Sequence, residues 1–147
     1  MNGTLIALIV AFIIVGVLVY VAITLTQNRK YAFNREEYQA DWLAINNSLK
    51  KEAPDSANMV VVKADKLLDK ALIETGIPGK TMGDRLKRLH GRLSNENAVW
   101  AAHKMRNQIA HETNFNASYD DARHALAAYK TALKDLGAIW NTRLLLV

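Results

Sequence analysis

A chain of 147 residues, with 19 Lys and Arg against 14 Asp and Glu and a formal charge of +5, has room for one domain. Half of its residues are hydrophobic, more than a soluble domain of this size needs, and the excess is concentrated near the N-terminus. There is no cysteine, which excludes disulfide staples and thiolate chemistry and agrees with a reducing compartment.

After a short tail, residues 1–3, no charged residue occurs from Thr4 to Gln27. The run LIALIVAFIIVGVLVYVAITL makes about 31 Å of helix, enough to cross a bilayer core of about 30 Å. Residues 4–27 therefore read as a transmembrane helix. A cleaved signal peptide fits less well, because the apolar run is too long, no basic residue precedes it and no small-x-small site follows. Residues 28–35 form a juxtamembrane linker in which Arg29, Lys30 and Arg35 follow the span, so the positive-inside rule expects the C-terminal part to be cytoplasmic. Tyr31 and Phe33 suit the headgroup level. Every charge lies beyond residue 28, and the modest basicity suits an anionic lipid surface or a nucleic acid.

Residues 36–140 read as an all-α bundle, with 141–147 as a C-terminal tail. A first helix over 36–52 places Tyr38, Trp42, Ile45 and Leu49 on one stripe and stops at Pro54. A second, capped by Asp55 or Ser56, runs to Gly76 with Val60, Val61, Ala64, Leu67, Leu68, Ala71 and Leu72 on one broad face. The loop GIPGKTMG leads to a short helix, DRLKRLHGR, with Leu86 and Leu89 inward. Ser94 is the expected cap of a helix running to about Thr113, and Ser118 with Asp121 resembles a capping box for the last helix. That helix turns Ala122, Ala125, Leu126, Tyr129, Ala132, Leu133 and Leu136 to one side and Arg123, Lys130, Thr131 and Lys134 to the other. No strand pattern competes, and no internal repeat is visible.

The stretch AHKMRNQIAHE, in the helix after Ser94, carries two of the four histidines. At about 100 degrees per residue, Ala98, Ala102, Met105 and Ile109 share a core-facing arc. Trp100, His103, Asn107 and His111 share another, expected to lie well away from the core, and Arg106 stands at the border. A large exposed Trp beside polar side chains calls for a cover, and two copies face to face would bury it and build a pocket. Arg106 and His111 are about 140 degrees apart in a continuous helix, so they point the same way only if the helix end loosens.

The run Arg106, Asn107, three residues, His111 resembles the motif of the HEPN domains (higher eukaryotes and prokaryotes nucleotide-binding), especially the branch reading R-N-x-[IL]-A-H-E. The likeness extends over roughly residues 36–138, through the order of helices, the LLDKALIETGI helix and the loop to a short helix before the motif. It implies a HEPN-like four-helix bundle with an extra short helix, and a dimeric, metal-independent endoribonuclease with paired motifs at the dimer interface. His111 would then move protons at the RNA 2′-hydroxyl, Arg106 would bind the scissile phosphate, and Asn107 would orient them. The chemistry suits these groups, since imidazole titrates nearest neutrality when unperturbed and guanidinium offers phosphate a fork of donors. Trp100 and His103, outside the motif, are auxiliary or dimer-interface candidates. At Thr113 the chain departs from the toxin-like branch, which carries Tyr there.

HEPN domains also include binders that cleave nothing, so three readings stand side by side: a membrane-tethered, metal-independent endoribonuclease; a non-catalytic module or scaffold that binds RNA, nucleotide or a protein at the membrane; and a membrane-anchored bundle whose motif is inherited structure without a ligand. The expected partners are the membrane through residues 4–27, a second copy of the chain, RNA or nucleotide, and in the second reading a protein.

Plainer roles compete residue by residue. His111 suits the carbonyls of a helix C-terminus, Arg106 an ion pair with Asp120, Asp121 or Glu112, and Asn107 a hydrogen bond between helices. Trp42 and Trp140 read as packing residues. Arg85, Lys87, Arg88 and Arg92 form a solvated face or extend an RNA path. The Gly-Lys-Thr triplet of GIPGKTMG lacks the spacing and the preceding strand of a phosphate loop. His103 with Asn107, or Asn107 with His111, has ligand spacing, but no second cluster completes a metal site, and no cofactor is expected.

Overall fold

The computed structural model describes residues 3–27, 33–53 and 55–140, with side chains described over 3–22 in the first of these segments. All regular structure among the described residues is helical. The chain divides into two units, Met1–Lys30 and Tyr31–Val147.

The first unit holds one helix, α1 (Gly3–Gln27). It has apolar side chains all round its circumference, and none of the segment Gly3–Ala22 is covered by the protein. A helix with no polar face has no way to rest one side on a soluble core and the other in water. By length and composition it is able to cross a membrane. Arg29, Lys30 and Tyr31 lie outside the described residues.

The second unit packs α2 (Arg35–Asn47), α3 (Asp55–Glu74), α4 (Met82–Arg88), α5 (Glu96–His111) and α6 (Tyr119–Leu136) into a bundle. Helix α3 is central, in contact with α2, α4, α5 and α6, while α5 also packs on α6. The sequence of α3 explains this: Val60, Val61, Ala64, Leu68, Ala71 and Leu72 are completely buried, so its apolar arc meets neighbours on several sides. Small side chains let the backbones approach, with Ala57, Ala64 and Ala71 on α3 and Ala122, Ala125, Ala128 and Ala132 on α6. Trp42, Tyr38 and Tyr129 supply the bulk between them.

Helix α6 follows its sequence signals closely. Ser118 accepts from the Asp121 N–H at 3.1 Å and Asp121 accepts from the Ser118 N–H at 3.1 Å, a reciprocal capping box. The helix ends at Gly137, whose φ of 80° is the left-handed conformation glycine adopts without strain. The Gly137 carbonyl also accepts from Arg35 Nε at 2.9 Å. Arg35 thus ties the start of the bundle to its end. Phe33 likewise belongs to the bundle, with its ring edge-on to Tyr38 at 5.4 Å between centroids.

Three expectations are corrected. Helix α2 stops at Asn47, short of residue 52, because Ser48 Oγ bonds back to the Ala44 carbonyl and Ser56 Oγ takes both the N–H and the C=O of Lys50. Leu49 consequently leaves the helical stripe and packs on the core from a turn. Ser94 does not cap α5; its N–H and hydroxyl both donate to Asp135 Oδ2, at 2.8 and 2.9 Å, and Asn95 takes the cap position without a side-chain bond. Trp140 is 44% exposed rather than packed, since Ala138 and Ile139 fill the core positions after the Gly137 turn.

Candidate functional site

The polar centre of the bundle forms around Asp65, a residue of α3 that is only 5% exposed. It stands four residues after Val61 and three before Leu68, inside the apolar arc, where an unpaired carboxylate would be costly. Three neighbours compensate it. His103 Nδ1, from α5, lies 2.8 Å from Oδ1. The Tyr129 hydroxyl, from α6, donates to the same oxygen at 2.9 Å. Arg106 Nε, also from α5, lies 3.4 Å from Oδ2, an ion-pair separation without hydrogen-bond alignment. One carboxylate therefore joins three helices.

The proton positions follow from the chemistry of the partners. A carboxylate only accepts, so His103 carries a proton on Nδ1, and in the neutral ring Nε2 is then the acceptor. Asn107 Nδ2 lies 3.4 Å from that Nε2, and Asn107 Oδ1 accepts from Arg106 Nη1 at 3.1 Å. Arg106, Asn107, His103 and Asp65 thus form a chain of polar contacts, within which Arg106 Nε is buried beside Asp65 Oδ2 without an aligned hydrogen bond. Burial, and then the charge of Asp65, push the Tyr129 hydroxyl well above the usual phenol range, so it remains a donor.

This chain borders a cleft of about 410 Å³ between α3, the start of α4 and α5. Thr81, Met82 and Gly83 form its opposite wall. Thr81 is fixed by a capping box with Asp84, at 3.1 Å in both directions. Gly83 keeps the wall low: a Cβ there would stand 3.8 Å from Trp100 Cη2 and 3.9 Å from His103 Nε2.

The residues singled out in the sequence are divided by the structure. Trp100, His103 and Asn107 do share a face, but it turns toward α3 and α4 instead of away from the bundle. Trp100 is half-buried in its own protomer, its ring edge-on to His103 at 6.2 Å. Arg106 meets Asp65, and not Asp120, Asp121 or Glu112, because Asp121 is used in the α6 cap and Asp120 pairs with Arg123. His111 is the last residue of α5, exposed, and engaged in no side-chain hydrogen bond or ion pair among the described residues. Helix α5 runs unbroken to that point, so Arg106 and His111 of one protomer diverge.

Sequence reasoning missed Asp65 as the hub and took Tyr129 for a packing residue only. The available signal was an acidic residue within an apolar arc. It also left Arg85 among the surface cations, whereas Arg85 is buried on Asp69 and the Gly79 carbonyl. Comparison with family models, with curated proteins and with solved structures gives no match to this chain.

Proposed function

We propose that this chain is a membrane-anchored HEPN-like module that binds RNA through the cleft of Arg106 and Asn107 and, as a homodimer, cleaves it without a metal ion. The length and apolar surface of helix α1 support its role as the anchor, and the basic residues that follow it in the sequence support a cytoplasmic bundle by the positive-inside rule. The observation that carries the reading is the setting of Arg106: its side chain is 36% exposed at the mouth of the cleft, with Nη1 steered by Asn107. A guanidinium held in this way presents its remaining donors to a phosphate.

A second reading, a scaffold bundle that docks a protein partner, is favoured by one feature. Asp65 is engaged by donors from α5 and α6, so the same polar residues also serve as a cross-link within the bundle.

The test uses the full chain in detergent micelles with a chelator and end-labelled single-stranded RNA. Wild type is expected to bind the RNA and to leave cyclic phosphate ends. Arg106→Ala should slow cleavage by about 10²- to 10³-fold, the usual consequence of losing one donor aimed at developing charge. RNA that is neither bound nor cut by wild type would sink the nucleic-acid reading in favour of the scaffold. Orientation has its own expected result: a reporter fused after Val147 that functions only in the cytoplasm should be active, and an active export-dependent reporter would reverse the topology.

A further inference from the structure

We propose that His103, and not the motif histidine His111, takes the proton from the RNA 2′-hydroxyl, with Asp65 as its positioning residue; this rests on the ribonuclease reading above. The two imidazoles differ in every structural respect that bears on such a task. His103 is held through Nδ1 at 2.8 Å on a buried carboxylate, which fixes both its ring orientation and its tautomer. Asp65 is itself fixed by Tyr129 and faced by Arg106. His111 is exposed and has no partner to orient it among the described residues.

Nε2 of His103 also faces the right place. Nε2 borders the cleft, where Gly83 puts no side chain over it. Its contact there is the Asn107 amide at 3.4 Å, longer than a well-formed hydrogen bond. A substrate hydroxyl replaces that amide as the donor and lies beside Arg106. The other charged group on the cleft is Asp69, which is paired with Arg85. Base and phosphate-binding cation thus belong to one protomer, three residues apart on α5.

The step balances without a co-reactant. The 2′-hydroxyl proton passes to Nε2 of His103, the 2′-oxygen bonds to the adjacent phosphorus, and the bond from phosphorus to the 5′-oxygen breaks. The 5′-oxygen takes a proton from water, and His103 returns its own to solvent. The products are a 2′,3′-cyclic phosphate and a 5′-hydroxyl.

The experiment compares His103→Gln, His111→Gln and wild type as full chains in micelles, with labelled RNA and chelator. His103→Gln is expected to slow cleavage by about 10²- to 10⁴-fold while His111→Gln stays within about threefold of wild type. Imidazole added to His103→Ala should restore part of the rate, which a merely structural role would not allow. If His103 variants lose their thermal transition, Gly83→Leu covers Nε2 while leaving the contact with Asp65, and loss of cleavage is again expected. Loss of activity in His111→Gln with His103→Gln near wild type overturns the proposal and leaves the ribonuclease reading intact. Full activity of a folded Gly83→Leu overturns it as well. Wild-type protein that binds RNA without cutting it overturns the proposal and keeps only the binding reading.

Discussion

Replacing Asp65 by Ala is expected to destabilise the bundle by about 3–5 kcal/mol, the range seen when one partner of a buried charge pair is removed. The substitution strands three groups at once. The Nδ1–H of His103 and the hydroxyl of Tyr129 lose the oxygen that they share, at 2.8 and 2.9 Å, and Arg106 loses the carboxylate that it faces. Tyr129 is completely buried, so water does not take the place of the acceptor. Tyr129→Phe removes a single donor and leaves Asp65 with His103 and Arg106; a loss of about 0.5–1.5 kcal/mol is expected. The two changes meet at one oxygen, so their effects should fall short of additive in a double-mutant cycle. Urea denaturation of the full chain in micelles, followed by tryptophan emission, reads all three variants. An Asp65→Ala loss below that of Tyr129→Phe would show that this carboxylate is not the hub of the bundle.

Local signals in the sequence proved readable and long-range ones did not. The capping box of Ser118 and Asp121, the Gly137 stop and the inward face of α6 each depend on residues within a few positions of one another. Helical periodicity alone is sufficient for such features. The Asp65 site joins α3 to partners 38 and 64 residues away, and Ser94 is bound by Asp135 across 41 residues. A helical wheel places Trp100, His103 and Asn107 on one face but does not say which neighbour that face meets. The same limit explains the end of α2, where Ser56 takes the backbone of Lys50 from the far side of a turn. Periodicity alone carries that helix on to residue 52.

Arg85 gives the other large effect, and it separates a structural cation from the surface ones around it. In sequence it is one of four basic residues, with Lys87, Arg88 and Arg92, that suit an RNA path. In the fold its side chain is 8% exposed, with Nε and Nη2 donating to Asp69 Oδ1 at 3.0 and 2.7 Å and Nη1 to the Gly79 carbonyl at 2.6 Å. This clamp holds the GIPGKTMG loop and α4 against α3. It also explains Gly79, where a Cβ would come within 2.9 Å of Arg85 Cγ and 3.0 Å of the Arg85 backbone nitrogen. The glycine provides close approach for an arginine rather than a cradle for phosphate. Arg85→Ala is expected to cost about 3 kcal/mol, the low end for a broken buried pair because Asp69 retains some contact with water. Arg85→Lys should recover little, since one ammonium does not reproduce a fork aimed at two acceptors. Lys87→Ala and Arg88→Ala, at exposed positions, should change stability by no more than about 0.5 kcal/mol. If either lowers RNA affinity more steeply at low salt than at high salt, it lies on the path of the backbone phosphates. Thermal melts of the four variants test the division, and an Arg85→Ala protein that melts with wild type would return Arg85 to the surface set.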